Sequence, residues 1–153
     1  MTKSLPDSLA VFCLDDQQFA LAAASIDRIV HAVEIAPLPG APRGVRGVIN
    51  FRGTVLPVFD MRARFGEVER GLRITDQFVI ANTARRKVAL IVDAAVGIIG
   101  PGEAKVVAAG EILPGFEAIE GVMKLDGDIV FIHDLDRFLS LEGERELAAA
   151  MAG

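Results

Sequence analysis

Apolar positions in this chain fall in short blocks separated by turn-forming residues, which is the spacing of β-strands rather than of helices. Ala10–Leu14 and Phe19–Ala23 flank four polar residues, Asp15-Asp16-Gln17-Gln18, suited to a hairpin loop. Ser25–Arg28 predicts a short helical turn capped by Ser25, leading into an extended run over Ile29–Ile35. The stretch PLPGAPRG, Pro37 to Gly44, is a crossing loop that no regular element can include. Further strands are predicted at Val48–Phe51, Thr54–Phe59, Gln77–Asn82 and Lys87–Asp93. Ala94–Ile99 continues extended until Gly100-Pro101-Gly102 breaks it, and Lys105–Ala108, Ile119–Leu125 and Ile129–His133 complete the set. Leu125–Asp128 is a turn signal between the last two. The last part changes period: Asp134–Leu139 and Glu142–Met151 follow helical spacing, with Leu135, Phe138, Leu139, Leu147 and Met151 on one side. About ten short strands with one terminal helix point to barrels or a sandwich, not to a βαβ sheet.

One stretch stands apart, Gly47 to Gly66, GVINFRGTVLPVFDMRARFG. Arg52-Gly53 reads as a two-residue turn between two core strands. Asp60 is placed to cap a short helix that Gly66 can end. Hairpin tips are usually filled by Asn, Asp and Gly. A positive charge there is not needed for folding, so Arg52 is the first candidate for contact with something outside the chain.

Composition bounds what that contact is. At 153 residues the expectation is a single domain, residues 1–153, with room for a substantial core. Hydrophobic residues make up 52% and charged ones 24%, so the chain is globular and some apolar surface is expected to face partners. A net charge of -5 argues against nucleic-acid binding, which needs a basic face. No apolar run reaches the roughly 18–20 residues of a membrane span, and the N-terminus does not read as a secretory signal. The single cysteine, Cys13, excludes an internal disulfide and fits a reducing compartment, so a cytoplasmic protein is expected.

Catalytic constellations are missing. His31 and His133 lie far apart, each inside a strand-like run, and read as structural histidines. Cys13 sits at strand period with no evident cationic neighbour and reads as inert. There is no phosphate loop, zinc spacing, calcium loop or nucleophile elbow around any of the four serines. The carboxylate pairs Asp15/Asp16 and Asp134/Asp136 sit where turns and helix starts want them. The expectation is a non-enzyme with no cofactor and no metal.

The stretch from Gly47 to Gly66 resembles the signature of the CheW-like family, a Gly-Val-Ile-Asn-Leu-Arg-Gly run followed by Pro-Val-Ile-Asp-Leu-Arg. Gly47, Val48, Asn50, Arg52, Gly53, Pro57, Val58, Asp60 and Arg62 match at the right spacing. Ile35 to Gly47, Lys87 to Ile99 (with Asp93 in the matching place) and Ile129 to Leu139 resemble further family segments in the right order, from about Leu9 to Leu141. The resemblance implies two small five-stranded SH3-like β-barrels packed together, with short helices and a C-terminal helix. It also implies a stand-alone adaptor in chemotaxis, joining the cytoplasmic tip of a chemoreceptor to the regulatory domain of a CheA-type histidine kinase. Recruitment to membrane-associated receptor arrays would follow, without insertion into the membrane. The alternative is an auxiliary scaffold for a non-flagellar output such as pilus motility or second-messenger control. A small-ligand barrel finds no convergent polar set here.

By the same resemblance Arg52 supports the partner-facing surface, against the plainer role of ordering its own hairpin. Ile26, Ile29 and Val30 are groove candidates, with core packing as the alternative. Phe51 and Arg62 join the binding candidates, although Arg62 and Arg64 equally suit a solvated helix face. Gly47, Asn50, Gly53, Pro57, Asp60 and Asp93 are expected to be structural. Asn50 and Asp60 are assigned to turn amides, and Pro57 to an edge or bulge. The family commonly carries Glu in the turn where this chain has Arg28. The acid partner of Arg52 is then Asp27 or Glu34, or the surface meets a different receptor. Neither Trp nor Tyr is present to anchor an interface.

Overall fold

A computed structural model describes residues 6–42, 44–64, 70–108, 119–139 and 144–152. The proposed helix end at Gly66 lies outside them, as do residues 142 and 143 of the terminal helix.

The described chain forms eleven strands: β1 (Leu9–Leu14), β2 (Gln17–Ala22), β3 (Ile26–His31), β4 (Val45–Phe51), β5 (Thr54–Asp60), β6 (Gln77–Asn82), β7 (Lys87–Val92), β8 (Ala94–Ile99), β9 (Lys105–Ala108), β10 (Ile119–Leu125) and β11 (Asp128–His133). Three short helices complete it: α1 (Met61–Arg64), α2 (Leu135–Phe138) and α3 (Glu144–Ala152). The strands build two sheets, one of six in the order β8-β1-β2-β11-β10-β9 and one of five in the order β3-β6-β7-β5-β4. The mainly-β, two-sheet expectation holds, with one strand more in the first sheet. No helix among the described residues is long and apolar enough to cross a membrane.

Three apolar clusters explain why the sheets curl and stack. Leu9, Val11, Ala20, Met123, Val130 and Ile132 fill the six-stranded unit. Ile49, Leu56, Val58, Phe78, Ile80, Ala89 and Ile91 fill the five-stranded one. Between them lies a shared core in which Phe12, Leu21, Phe59, Met61, Val79 and Leu90 meet Leu135, Leu139 and Leu147 from the C-terminal part. Period-2 alternation thus serves two cores at once: Val11 and Phe12, one residue apart, face different ones.

Several local expectations shift. The β1–β2 loop is two residues rather than four, because Gln17 and Gln18 already pair with Leu14 and Cys13. Ser25 caps no helix: the turn at Ala23–Ser25 is a 3-10 turn entered from Ala22 without a side-chain cap, and β3 begins at Ile26. That strand stops at His31 instead of reaching Ile35. The chain then returns along β4, where Ala36 and Val48 exchange backbone hydrogen bonds of 2.9 and 2.8 Å. Since Val48 spends both backbone groups on Ala36, its pairing with Pro57 needs none from the proline. The Pro57 nitrogen faces the other side, where rungs to β7 begin only at Val58. A residue without an N–H is tolerated at that place in an otherwise internal strand.

Candidate partner-binding surface

The β4–β5 hairpin turns through Arg52 at φ 51° and Gly53 at φ 86°. Two positive values in succession suit the mirror-image turn whose twist matches that of the flanking strands. Asn50 Oδ1 accepts the Gly53 N–H at 2.8 Å and holds the turn closed. The exposed Arg52 side chain folds back so that its guanidinium carbon lies 5.4 Å from the centroid of the Phe51 ring. Arg28 reaches the same ring from β3, at 5.7 Å. β3 and β4 are opposite edges of the five-stranded sheet, so this meeting exists because the sheet curls on itself. Phe51 packs its partly buried ring on that barrel's core. The neighbouring carboxylate, Asp27, is taken by Lys87 at 2.7 Å. The hydrogen bond from Lys87 holds its pKa below the ordinary value, with Arg28 and Arg52 adding to the effect. Glu34 pairs with neither arginine, so the acid partner expected for Arg52 is not supplied by Asp27 or Glu34.

Along β3 the side chains alternate. Ile26 packs on the shared core and Val30 on the second barrel's core. Ile29 is 38% exposed on the outward face. Of the three groove candidates, it is the one offered to solvent.

Arg62 takes a different place from the one sequence reasoning assigned. Its side chain is 2% exposed, inside a cluster of ions where the two sheets join. It is neither on an outer surface nor a solvated helix charge. It pairs with Asp93 and, at 3.2 Å, with Asp15. Asp93 lies between β7 of one sheet and β8 of the other, and its second oxygen accepts the Asp15 N–H at 2.5 Å. Arg70 makes two hydrogen bonds to Asp76, at 2.7 and 2.8 Å, and a third to Asp93 at 2.6 Å. Asp60 accepts the Arg62 N–H at 3.0 Å and binds Arg46 at 3.1 Å. Burial opposes the charge on Asp93, but hydrogen bonds from Arg62, the Asp15 amide and Arg70 outweigh it and keep its pKa below the ordinary value. Asp76 is lowered in the same way, burial being overcome by Arg70 and the Arg73 amide. Sequence reasoning missed Arg46, Arg70, Asp15 and Asp76 as a group, since 78 residues separate Asp15 from Asp93 and no local pattern marks the pairing.

The six-stranded sheet leaves its own apolar surface. Ile129 and Phe131 of β11 point outward, as do Val96 and Ile98 of β8, with Ile129 66% exposed. At Phe131 a cleft of about 240 Å³ opens, lined also by Leu14, Gln17, Phe19, Ile119 and His133. His133 meets Phe19 edge-on at 6.2 Å, and burial pushes its pKa down to about 4. Burial, reinforced by Asp93, raises the pKa of the Cys13 thiol, which disfavours the reactive thiolate. No group of metal-binding side chains occurs among the described residues.

A pair of curled sheets joined by an ion-paired seam, with exposed apolar side chains on each, is the architecture of a double β-barrel module. The CheW-like domain model matches residues 8–143, and the chain belongs to that family. It is 32% identical over 142 residues to the chemotaxis protein CheW of Rhizobium meliloti, covering 92% of this chain and 91% of that one. It is 29% identical to the chemotaxis protein CheW of Bacillus subtilis, covering 91% and 90%. Among solved structures, the scaffolding protein TtCheW of Thermoanaerobacter tengcongensis superposes with a TM-score of 0.78 at 28% identity, over 91% of this chain and 96% of that one.

Proposed function

We propose that this protein is a non-enzymatic adaptor of chemotaxis signalling, coupling the cytoplasmic tip of a chemoreceptor to the regulatory domain of a CheA-type histidine kinase. It works in the cytoplasm and is recruited to receptor arrays through those contacts. An adaptor needs two contact surfaces on one frame. The observation that carries the reading is that each sheet presents one: the Arg28–Phe51–Arg52 tip on the five-stranded sheet, and the exposed pair Ile129 and Phe131 of β11 on the six-stranded sheet. Burying such side chains supplies most of the binding energy at protein interfaces, and charges at the rim set the choice of partner. The ion-paired seam keeps the two surfaces at a fixed relation, which lets an adaptor pass a change in one partner to the other.

The test is a titration with the two partner fragments from the same genome, each alone and then together. Saturable micromolar binding to both, and a ternary complex, is the expected result. Arg52→Ala weakens one of the two by roughly 1–3 kcal/mol with the fold intact. Absence of binding to either fragment by the wild type ends this reading.

A further inference from the structure

The tip of the β4–β5 hairpin, with Arg28 of β3 beside it, shows three features that the fold does not require. Arg28 and Arg52 press two like charges against one ring, 5.7 and 5.4 Å from its centroid, and neither has an ion-pair partner among the described residues. The Nε of Arg28 is shut off from water without a hydrogen-bond partner, a state that normally costs stability. Arg52 holds φ 51°, where Asn or Gly rests more easily. Asp27 feels both charges but is ion-paired to Lys87 at 2.7 Å and to neither arginine. Backbone strain in an exposed turn that displays a charged side chain points to a use for that side chain.

We infer that the Arg28–Phe51–Arg52 tip is a receiver for a carboxylate-bearing segment of a partner protein, with Phe51 meeting the apolar atoms beside the carboxylate. An incoming Asp or Glu offsets the like-charge repulsion, and its approach gives the guanidinium donors an acceptor. Arginine's planar fork suits a carboxylate in two-point contact, and the ring holds each guanidinium ready for it. Two free cations on a chain of net charge -5 suit a discrete acidic side chain. An anionic membrane is served by clusters of roughly 4–8 basic residues. The inference rests on the adaptor reading, the acidic segment belonging to the receptor-side partner.

Arg28→Glu is the informative variant, since it reverses the charge at one of the two positions that an incoming carboxylate would meet. Calorimetric titration against the receptor tip from the same genome should show wild-type affinity falling as salt rises from about 50 to about 300 mM. Arg28→Glu should bind at least tenfold more weakly, with a flatter salt response. Replacing the tip's surface carboxylates by Lys one at a time should find a position whose loss of binding is restored by Arg28→Glu. Equal binding by wild type and Arg28→Glu overturns the inference and leaves the adaptor reading standing.

A second arm uses the wild type with acetylated Leu-Glu-Glu-Leu and Leu-Gln-Gln-Leu peptides, read on the arginine Nε–Hε resonances. Joint shifts of Arg28 and Arg52 with the acidic peptide only, without binding of the receptor tip, keep the receiver and discard the adaptor reading. No shift and no tip binding discard both. Sedimentation with anionic vesicles but not with the tip reassigns the surface to a membrane and overturns the inference.

Discussion

At positive φ an L-residue crowds its Cβ against backbone oxygen, at a cost of about 1–2 kcal/mol for most side chains and much less for Asn or Gly. Arg52 accepts that cost at φ 51°. Arg52→Asn should therefore raise the unfolding free energy by about 1 kcal/mol in urea titrations while weakening partner binding. Unchanged or lower stability would show that the turn is relaxed with Arg. Gly47 carries the opposite constraint, one of space. At φ 148° a Cβ there would stand 2.2 Å from the Ala36 carbonyl oxygen and 2.8 Å from Ile35 Cγ2. Gly47→Ala must push the returning segment off β4, and the loss should be at least about 3 kcal/mol of strain and overpacking. A variant within about 1 kcal/mol of wild type would mean that Ile35 and Ala36 give way freely.

At the level of elements, the seam between the sheets is held by charge as well as by apolar contact. Asp93 is its centre, accepting from Arg62, Arg70 and the Asp15 amide. Its removal leaves the Arg62 guanidinium, 2% exposed, with the half-exposed Asp15 as its one ion-pair partner among the described residues. Breaking a buried pair from one side costs about 3–5 kcal/mol. Asp93→Ala should lie near the lower end of that range, because Asp15 and water compensate in part. Arg62→Met should cost clearly less. It keeps an apolar stem in the space, and Asp93 retains Arg70. Equal losses, measured by denaturation of both variants, would contradict an order of importance set by burial. Strand faces follow a plainer rule: β3 sends Ile26 and Val30 inward and Ile29 outward by alternation alone.

Across the whole molecule, buried titratable groups decide the response to acid. His133 has a folded pKa of about 4 against an ordinary value of 6.5, so between those values the unfolded chain binds the proton and the folded chain does not. The stability associated with neutral His133 is complete above pH 6.5 and declines as pH falls toward 4. The decline is about 2 kcal/mol between pH 7 and pH 5. Asp93 and Asp76, both lowered, act in a more acidic window: their contribution is present above the ordinary carboxylate range and is lost on acidification below it. Urea midpoints of wild type and His133→Phe separate the two windows. The variant should be flatter from pH 7 to pH 5 and parallel to wild type below pH 4. Identical curves throughout would show that His133 takes up its proton in the folded state without penalty.

Local chemistry made much of this molecule legible. Short apolar blocks bounded by Gly, Pro and Asp marked the strands, since strand and turn preferences act over a few residues. Arg52-Gly53 marked the hairpin, because only a few residue pairs suit that turn. The four segments resembling the CheW-like family led to the fold. What the tertiary structure alone decided is whatever depends on residues far apart in the chain. Ile129–His133 and Ala94–Ile99 are apolar at nearly every position, so period-2 alternation did not show which face each core would cover. Arg62 read as a surface charge, because the carboxylates that bury it come from a turn 47 residues away and a strand junction 31 residues away. Arg28 met Phe51 only when the sheet curled and brought its two edges together. A residue's immediate neighbours set its backbone. Burial and ion pairing are set by which strands the closed sheets bring into contact, and that is a property of the whole fold.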